Sequence, residues 1–219
     1  MMAMVTPARL LLVLSSALLG LVLAWMVFLW QPAPPLDSSP AMAEYLPAGT
    51  IDMRRTSLGG DFSMETAEGA VNLHDFKGKT VLIYFGYTFC PDACPTNLAI
   101  VAAAFGMLNE AELSGVQGVF VSVDPERDTV ARLAEYTRFF HSQIVGMTSN
   151  PESVAEIARR YGVAYQRSEA ESAGGYLVDH SSYIYVVAPN GKLEYALPHA
   201  APPEVIVEVV REYLAQTGS

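Results

Sequence analysis

Positive charge is scarce in this chain. Its 219 residues carry 13 lysines and arginines against 23 acidic side chains, a formal net charge of −10. Nucleic-acid binding needs a basic face that displaces counterions from phosphates, so that class is excluded. Cysteine is scarcer still, and two residues rule out a miniprotein stapled by several disulfides. No internal repeat is present. The nine methionines are scattered, three of them among the first four residues, so there is no Met-rich metal-binding tract. Met107 reads as helix core. Apolar residues, by contrast, make up 51% of the chain, which excludes a disordered protein and allows a sizeable core.

Much of that apolar excess lies at the front. Leu10 to Trp30 is a run of 21 residues without a charge. At ~1.5 Å per residue it matches the ~30 Å hydrocarbon core of a bilayer. A signal-peptide core is shorter, about 7–15 residues, and the Ala41-Met42-Ala43 cleavage-like step lies well beyond the run. An uncleaved anchor is therefore expected over a cleaved leader. Trp25 and Trp30 suit an interfacial aromatic belt, and Arg9 with the α-amino group places the short N-terminus in the cytoplasm. The expected organisation is a cytoplasmic segment over 1–9, a transmembrane anchor over 10–30, a Pro-rich linker over 31–46 and one domain over 47–219. Beyond Trp30 the chain holds 12 basic and 23 acidic residues, net −11.

Within the domain, Val81 to Phe85 is a continuous apolar run, the pattern of a strand buried on both faces. It leads through Gly86 to Pro95, GYTFCPDACP, into a helix reaching Leu108. Val116–Val123 and Ile144–Met147 read as further strands. Asp128 reads as the N-cap of a helix running to Phe140, and Asn150-Pro151 opens another that stops at Gly162. Tyr183–Ala188 reads as a strand, with Asn190-Gly191 turning it into Leu193–Tyr195. Pro202 and Pro203 open a last helix. Residues 50–75 read as a small hairpin, and Ala170–Gly175 as a flexible loop. Strand–helix alternation closed by a hairpin and a helix predicts a three-layer α/β fold with a mixed central sheet.

Cys90 and Cys94 stand four apart where a buried strand turns into a helix, so both sulfurs face one side of the first turn. The partial positive charge there stabilises thiolates, which attack disulfides or ligate soft metals such as Cu(I) and Zn. A quiet structural disulfide is the bland alternative. Two thiolates leave a metal shell incomplete, and an imidazole would extend it. His180 is the candidate, because Asp179 beside it is able to fix the ring tautomer. A plain surface histidine is the competing reading for it. His74, His141 and His199 read as ordinary surface or partly buried residues.

Phe85–Pro95 (FGYTFCPDACP), Ser122–Thr129 (SVDPERDT) and Asp179–Gly191 (DHSSYIYVVAPNG) occur in this order, and on them the chain resembles the Sco/SenC family of copper chaperones over roughly 47–214. The resemblance implies a thioredoxin-like fold and one copper, Cu(I) with Cu(II) also accessible, held by Cys90, Cys94 and His180. It implies copper delivery to the CuA site of cytochrome c oxidase subunit II, reduction of that site's cysteines, or both. Asp124 to Asp128 matches the family's acidic loop, with a positional role. With the anchor, the implied location is the bacterial inner (cytoplasmic) membrane, single-pass, the soluble domain on the periplasmic side. The implied protein is a metallochaperone rather than an enzyme. The alternative is a thiol–disulfide oxidoreductase or redox sensor without stable copper. Thioredoxin-type reductases use a two-residue spacer and a cis-proline facing it, whereas here the spacer is three residues and no proline occurs between Pro151 and Pro189. Peroxiredoxins are echoed by Thr88 with Cys90-Pro91, but their peroxide-binding arginine has no clear counterpart, Arg127 being the nearest candidate.

Overall fold

The computed structural model describes residues 19–22, 24–25, 46–172 and 175–217. Two compact units divide the chain, Met1–Pro40 and Ala41–Ser219. In the first, the described residues are helical, and Leu19, Leu21, Val22 and Trp25 are exposed. Among the described residues no helix is long and apolar enough to cross a membrane. Most of the expected 10–30 anchor and the 31–45 part of the linker lie outside the described residues.

The second unit begins with β1 (Ile51–Asp52), then β2 (Ser63–Thr66) and β3 (Gly69–Asn72), closed by a 3-10 turn at Leu73–Phe76. There follow β4 (Thr80–Gly86), α1 (Ala93–Met107), a short α2 (Glu110–Ser114), β5 (Val116–Ser122), α3 (Val130–Phe140), β6 (Ile144–Met147) and α4 (Pro151–Arg160). The chain ends with β7 (Tyr165–Ser172), β8 (Gly175–His180), β9 (Ile184–Val187), β10 (Leu193–Leu197) and α5 (Pro203–Thr217). Six strands form one mixed sheet in the order β1-β10-β9-β4-β5-β6. β4, β5 and β6 run parallel, and β9 joins β4 antiparallel with Tyr84 opposite Ile184.

The continuous apolar runs explain the centre. All seven residues of β4 are buried, as a strand covered on both faces requires. Tyr84 points to one face, where its hydroxyl accepts from Asn97 of α1 at 3.1 Å. Its register partner Phe120 meets Tyr136 of α3 there, and α5 packs on α1. Phe85 points the other way, onto Tyr161 behind α4, which in turn meets Phe62 ahead of β2. Helices on both faces of a mixed sheet give the expected three layers.

Four local expectations are corrected. The N-cap of α3 is Thr129, whose side chain accepts from Arg132 N–H, because the Asp128 carboxylate is committed to Thr88 and Ser122. Of the loop expected over Ala170–Gly175, residues 170–172 end β7 and Gly175 opens β8, two strands that pair with each other. The strand expected at Tyr183–Ala188 is narrower, Ile184–Val187. Met107 ends α1 with 45% of its surface exposed instead of lying in the core. The Asn150 cap and the stop of α4 stand as read: Asn150 accepts from Ser153 N–H, and Gly162 takes the left-handed φ of +69° that ends the helix.

Candidate metal centre

The site lies at the carboxyl end of β4, the edge at which open α/β sheets place ligands. Gly86 closes β4 at a position where only glycine fits. A Cβ there would stand 2.6 Å from Cys94 Sγ and 2.9 Å from the Phe120 ring. The chain then crosses residues 87–92 and enters α1. Pro95 is tolerated in the first turn, where backbone N–H groups have no intrahelical partner.

Cys94 is fully buried in that turn, whereas Cys90 is partly exposed on the preceding loop, and both are free. The Cys94 N–H donates to Cys90 Sγ at 3.4 Å. His180, the last residue of β8, brings Nε2 to 3.4 Å from Cys94 Sγ. The three donor atoms all lie within 4.8 Å of one another. Metal bonds of ~2.0–2.3 Å to nitrogen and sulfur hold three donors of one ion about 3.5–4 Å apart, so the set closes on an ion with sub-ångström shifts. His180 Nδ1 lies 3.1 Å from the Ser181 carbonyl. A carbonyl only accepts, so the neutral ring carries its proton on Nδ1 and offers the Nε2 lone pair to the sulfurs. The expectation that Asp179 would fix the tautomer is corrected. Successive residues of β8 point to opposite faces, and Asp179 is exposed. Tyr84 and Tyr87 hold the imidazole edge-on, with centroids 6.0 and 5.8 Å away.

The two thiols are unequal. Hydrogen bonding from the Cys94 thiol, backed by the Asp92 and Cys94 N–H groups, holds Cys90 well below the usual thiol range. Burial, and then the neighbouring Cys90, pushes Cys94 well above it. The reduced pair therefore keeps one proton, on Cys94. Iodoacetamide should modify Cys90 first, at a rate nearly flat between pH 6 and 8. A rate rising about tenfold per pH unit across that range, as an ordinary thiol of pKa ~8.5 gives, would contradict this.

The positional role read for Asp124 to Asp128 takes a specific form at Asp128, while other contributors escaped the sequence reading. Asp128 accepts from the Thr88 N–H at 3.0 Å, the Thr88 hydroxyl at 2.5 Å and the Ser122 hydroxyl at 2.7 Å, which ties the cysteine loop to the end of β5. Its place in SVDPERDT was the available signal. Buried Asn97, one turn after Cys94, contacts Tyr84 Oη and His199 Nδ1. A lone asparagine in an apolar helix was the only hint, and His199 thus has a structural partner. His74 pairs with Asp61 on the surface at 2.7 Å, and His141 packs on Phe105. Arg127 stacks on Phe89 and Tyr176 and pairs with Asp124.

Comparison with known proteins agrees with this geometry. The SCO1/SenC family model matches residues 52–215. Bovine (Bos taurus) mitochondrial protein SCO2 homolog is 39% identical over 169 residues, 76% of this chain and 64% of that protein. Mitochondrial protein SCO1 homolog 1 of Arabidopsis thaliana is 42% identical over 137 residues, 62% of this chain and 41% of that protein. The chain thus spans less than two thirds of each. Among solved structures, copper-bound Arabidopsis thaliana ScoI superposes with TM-score 0.67 at 37% identity, covering 73% of this chain and 99% of the other. Copper-bound yeast Sco1 gives 0.65 at 31%, covering 73% and 90%. A family match over most of the folded domain, carrying all three motifs and the cysteine–histidine cluster, makes this chain a member of the SCO1/SenC family.

Proposed function

We propose that this protein is a copper chaperone in which Cys90, Cys94 and His180 hold the metal for delivery to the CuA site of cytochrome c oxidase subunit II. The observation that carries the proposal is the convergence of two sulfurs and one imidazole nitrogen within 4.8 Å at a helix N-terminus. Soft thiolates select Cu(I), and the imidazole makes Cu(II) tolerable. Similarity to proteins solved with copper bound supports the same cargo. Three ligands leave copper open on the side of partly exposed Cys90. Thiolates of an acceptor enter there and displace Cys90, His180 and Cys94 in turn, with no change in copper oxidation state. The 10–30 run supplies a membrane anchor, and the 31–46 linker holds the 47–219 domain on the periplasmic face of the bacterial inner membrane.

The inequality of the thiols supports reduction of the acceptor's cysteines as a second task. The Cys90 thiolate attacks the acceptor disulfide, and the first sulfur to leave takes the Cys94 proton. Cys94, now a thiolate, attacks Cys90 Sγ, which releases the second acceptor sulfur and leaves a Cys90–Cys94 disulfide. Two electrons pass, and no other reductant takes part.

Titration of the reduced full-length protein with Cu(I) against a colorimetric chelator tests the proposal. One equivalent per chain is expected for the dithiol and none for the disulfide form. Absence of binding by the dithiol sinks the copper assignment and leaves thiol–disulfide exchange.

A further inference from the structure

His180 reaches Cys94 from an arm that is separate from the main sheet. β7 and β8 pair only with each other among the described strands. Tyr176, Val178 and His180 alternate along β8 and share the face turned to the domain. Tyr176 and His180 are thus ~13 Å apart on one strand, at ~3.3 Å per residue. Between them, the Val178 N–H donates to the Tyr87 hydroxyl at 3.1 Å.

The Tyr176 end is fastened in an unusual way. The guanidinium carbons of Arg127 and Arg167 each lie 3.6 Å from the Tyr176 ring centroid. Two guanidiniums at that distance must occupy opposite faces of the ring, so the ring is clasped between them. Arg167 belongs to the hairpin itself. Arg127 belongs to the loop after β5, where it pairs with Asp124 and also lies 4.6 Å from the ring of Phe89, the residue before Cys90. The Tyr176 hydroxyl donates to Asp124 at 2.7 Å. One arginine therefore touches both the cysteine loop and the histidine arm.

We propose that Tyr176, clasped by Arg127, is a positioning residue that sets the His180 imidazole over Cys94 and with it the share of His180 in copper binding. This rests on the copper assignment above. The weakening should pass through His180 alone, which a merely structural role would not do.

Cu(I) affinities of full-length wild type, Tyr176→Leu, Tyr176→Phe, His180→Ala and the Tyr176→Leu/His180→Ala double variant test it by chelator competition. Loss of one desolvated cation–π clasp should weaken Tyr176→Leu roughly tenfold. Tyr176→Phe keeps the clasp and loses one hydrogen bond, so a change within about threefold is expected. With His180 already replaced, Tyr176→Leu should cost less than about twofold. In the copper-free reduced protein, nuclear Overhauser contacts from the His180 ring to the Tyr84 and Tyr87 rings should weaken in Tyr176→Leu and persist in Tyr176→Phe. Equal losses with and without His180, or unchanged ring contacts in Tyr176→Leu, overturn the proposal. If wild type binds no Cu(I), the copper assignment fails, and the ring contacts alone decide whether Tyr176 positions His180.

Discussion

Cys94→Ser should lower Cu(I) affinity by two to three powers of ten, and His180→Ala by less, roughly 10–100-fold. Four-ligand zinc sites bind with about 10–16 kcal/mol, or ~2.5–4 kcal/mol per ligand, which sets the scale for losing one thiolate. Serine is a hard oxygen donor and does not replace a sulfur toward Cu(I). The burial of Cys94 adds to the loss. Its sulfur fills a pocket closed by Gly86 and Phe120, and the smaller hydroxyl leaves space there that no neighbour fills. His180→Ala keeps both thiolates, and two thiolates alone still bind Cu(I). Competition against a graded series of chelators resolves the order. An affinity in Cys94→Ser equal to that of wild type would remove Cys94 from the shell.

Asp128→Ala should cost about 3 kcal/mol of unfolding free energy and loosen the cysteine loop, whereas Asp128→Asn should cost less than about 1. Asp128 is fully buried and accepts three hydrogen bonds, two from Thr88 and one from Ser122. Alanine strands those donors. Asparagine keeps its oxygen where it accepts from the Thr88 N–H and the Ser122 hydroxyl, and turns its amide toward the Thr88 hydroxyl, which accepts as readily as it donates. The two variants differ in pH dependence as well. Burial raises the Asp128 pKa above the ordinary carboxylate value. The folded state then binds more protons than the unfolded state between those two values, so this group's contribution to stability falls as pH rises through that window. Asp128→Asn lacks that slope. Urea melts of the three proteins between pH 4 and 7 check both statements. A melt of Asp128→Ala that matches wild type would show that the Thr88 anchor carries no weight.

How much was legible beforehand followed from burial. β4, β5 and β6 announced themselves because parallel strands covered on both faces are continuous apolar runs, and Ile144–Met147 has the expected bounds. α4 was readable from Asn150-Pro151, a local chemical signal that needs no tertiary context. The β7–β8 hairpin was hidden for the opposite reason. Standing off the main sheet, it lacks a continuous apolar run, and its attachment runs from Tyr176 and Val178 to Arg127, Asp124 and Tyr87, which lie far from it in sequence. Asp128 and Thr129 are both good N-cap residues, and only the long-range demand of Thr88 for a carboxylate decides between them. In the site, the cysteine pair was visible from spacing at a strand–helix junction. His180 was singled out by its neighbour Asp179 and by the family resemblance, yet the partner of its Nδ1 is the Ser181 carbonyl. The asymmetry of the thiols had no sequence signal, since it comes from burying one sulfur behind Gly86 and exposing the other.

The central claim is that copper sits among Cys90, Cys94 and His180. X-ray absorption at the copper edge of the reduced, Cu(I)-loaded full-length protein counts its neighbours directly. Two sulfurs and one nitrogen are expected for wild type, and two sulfurs without that nitrogen for His180→Ala. A wild-type shell with fewer than two sulfurs, or one that His180→Ala leaves unchanged, would contradict it.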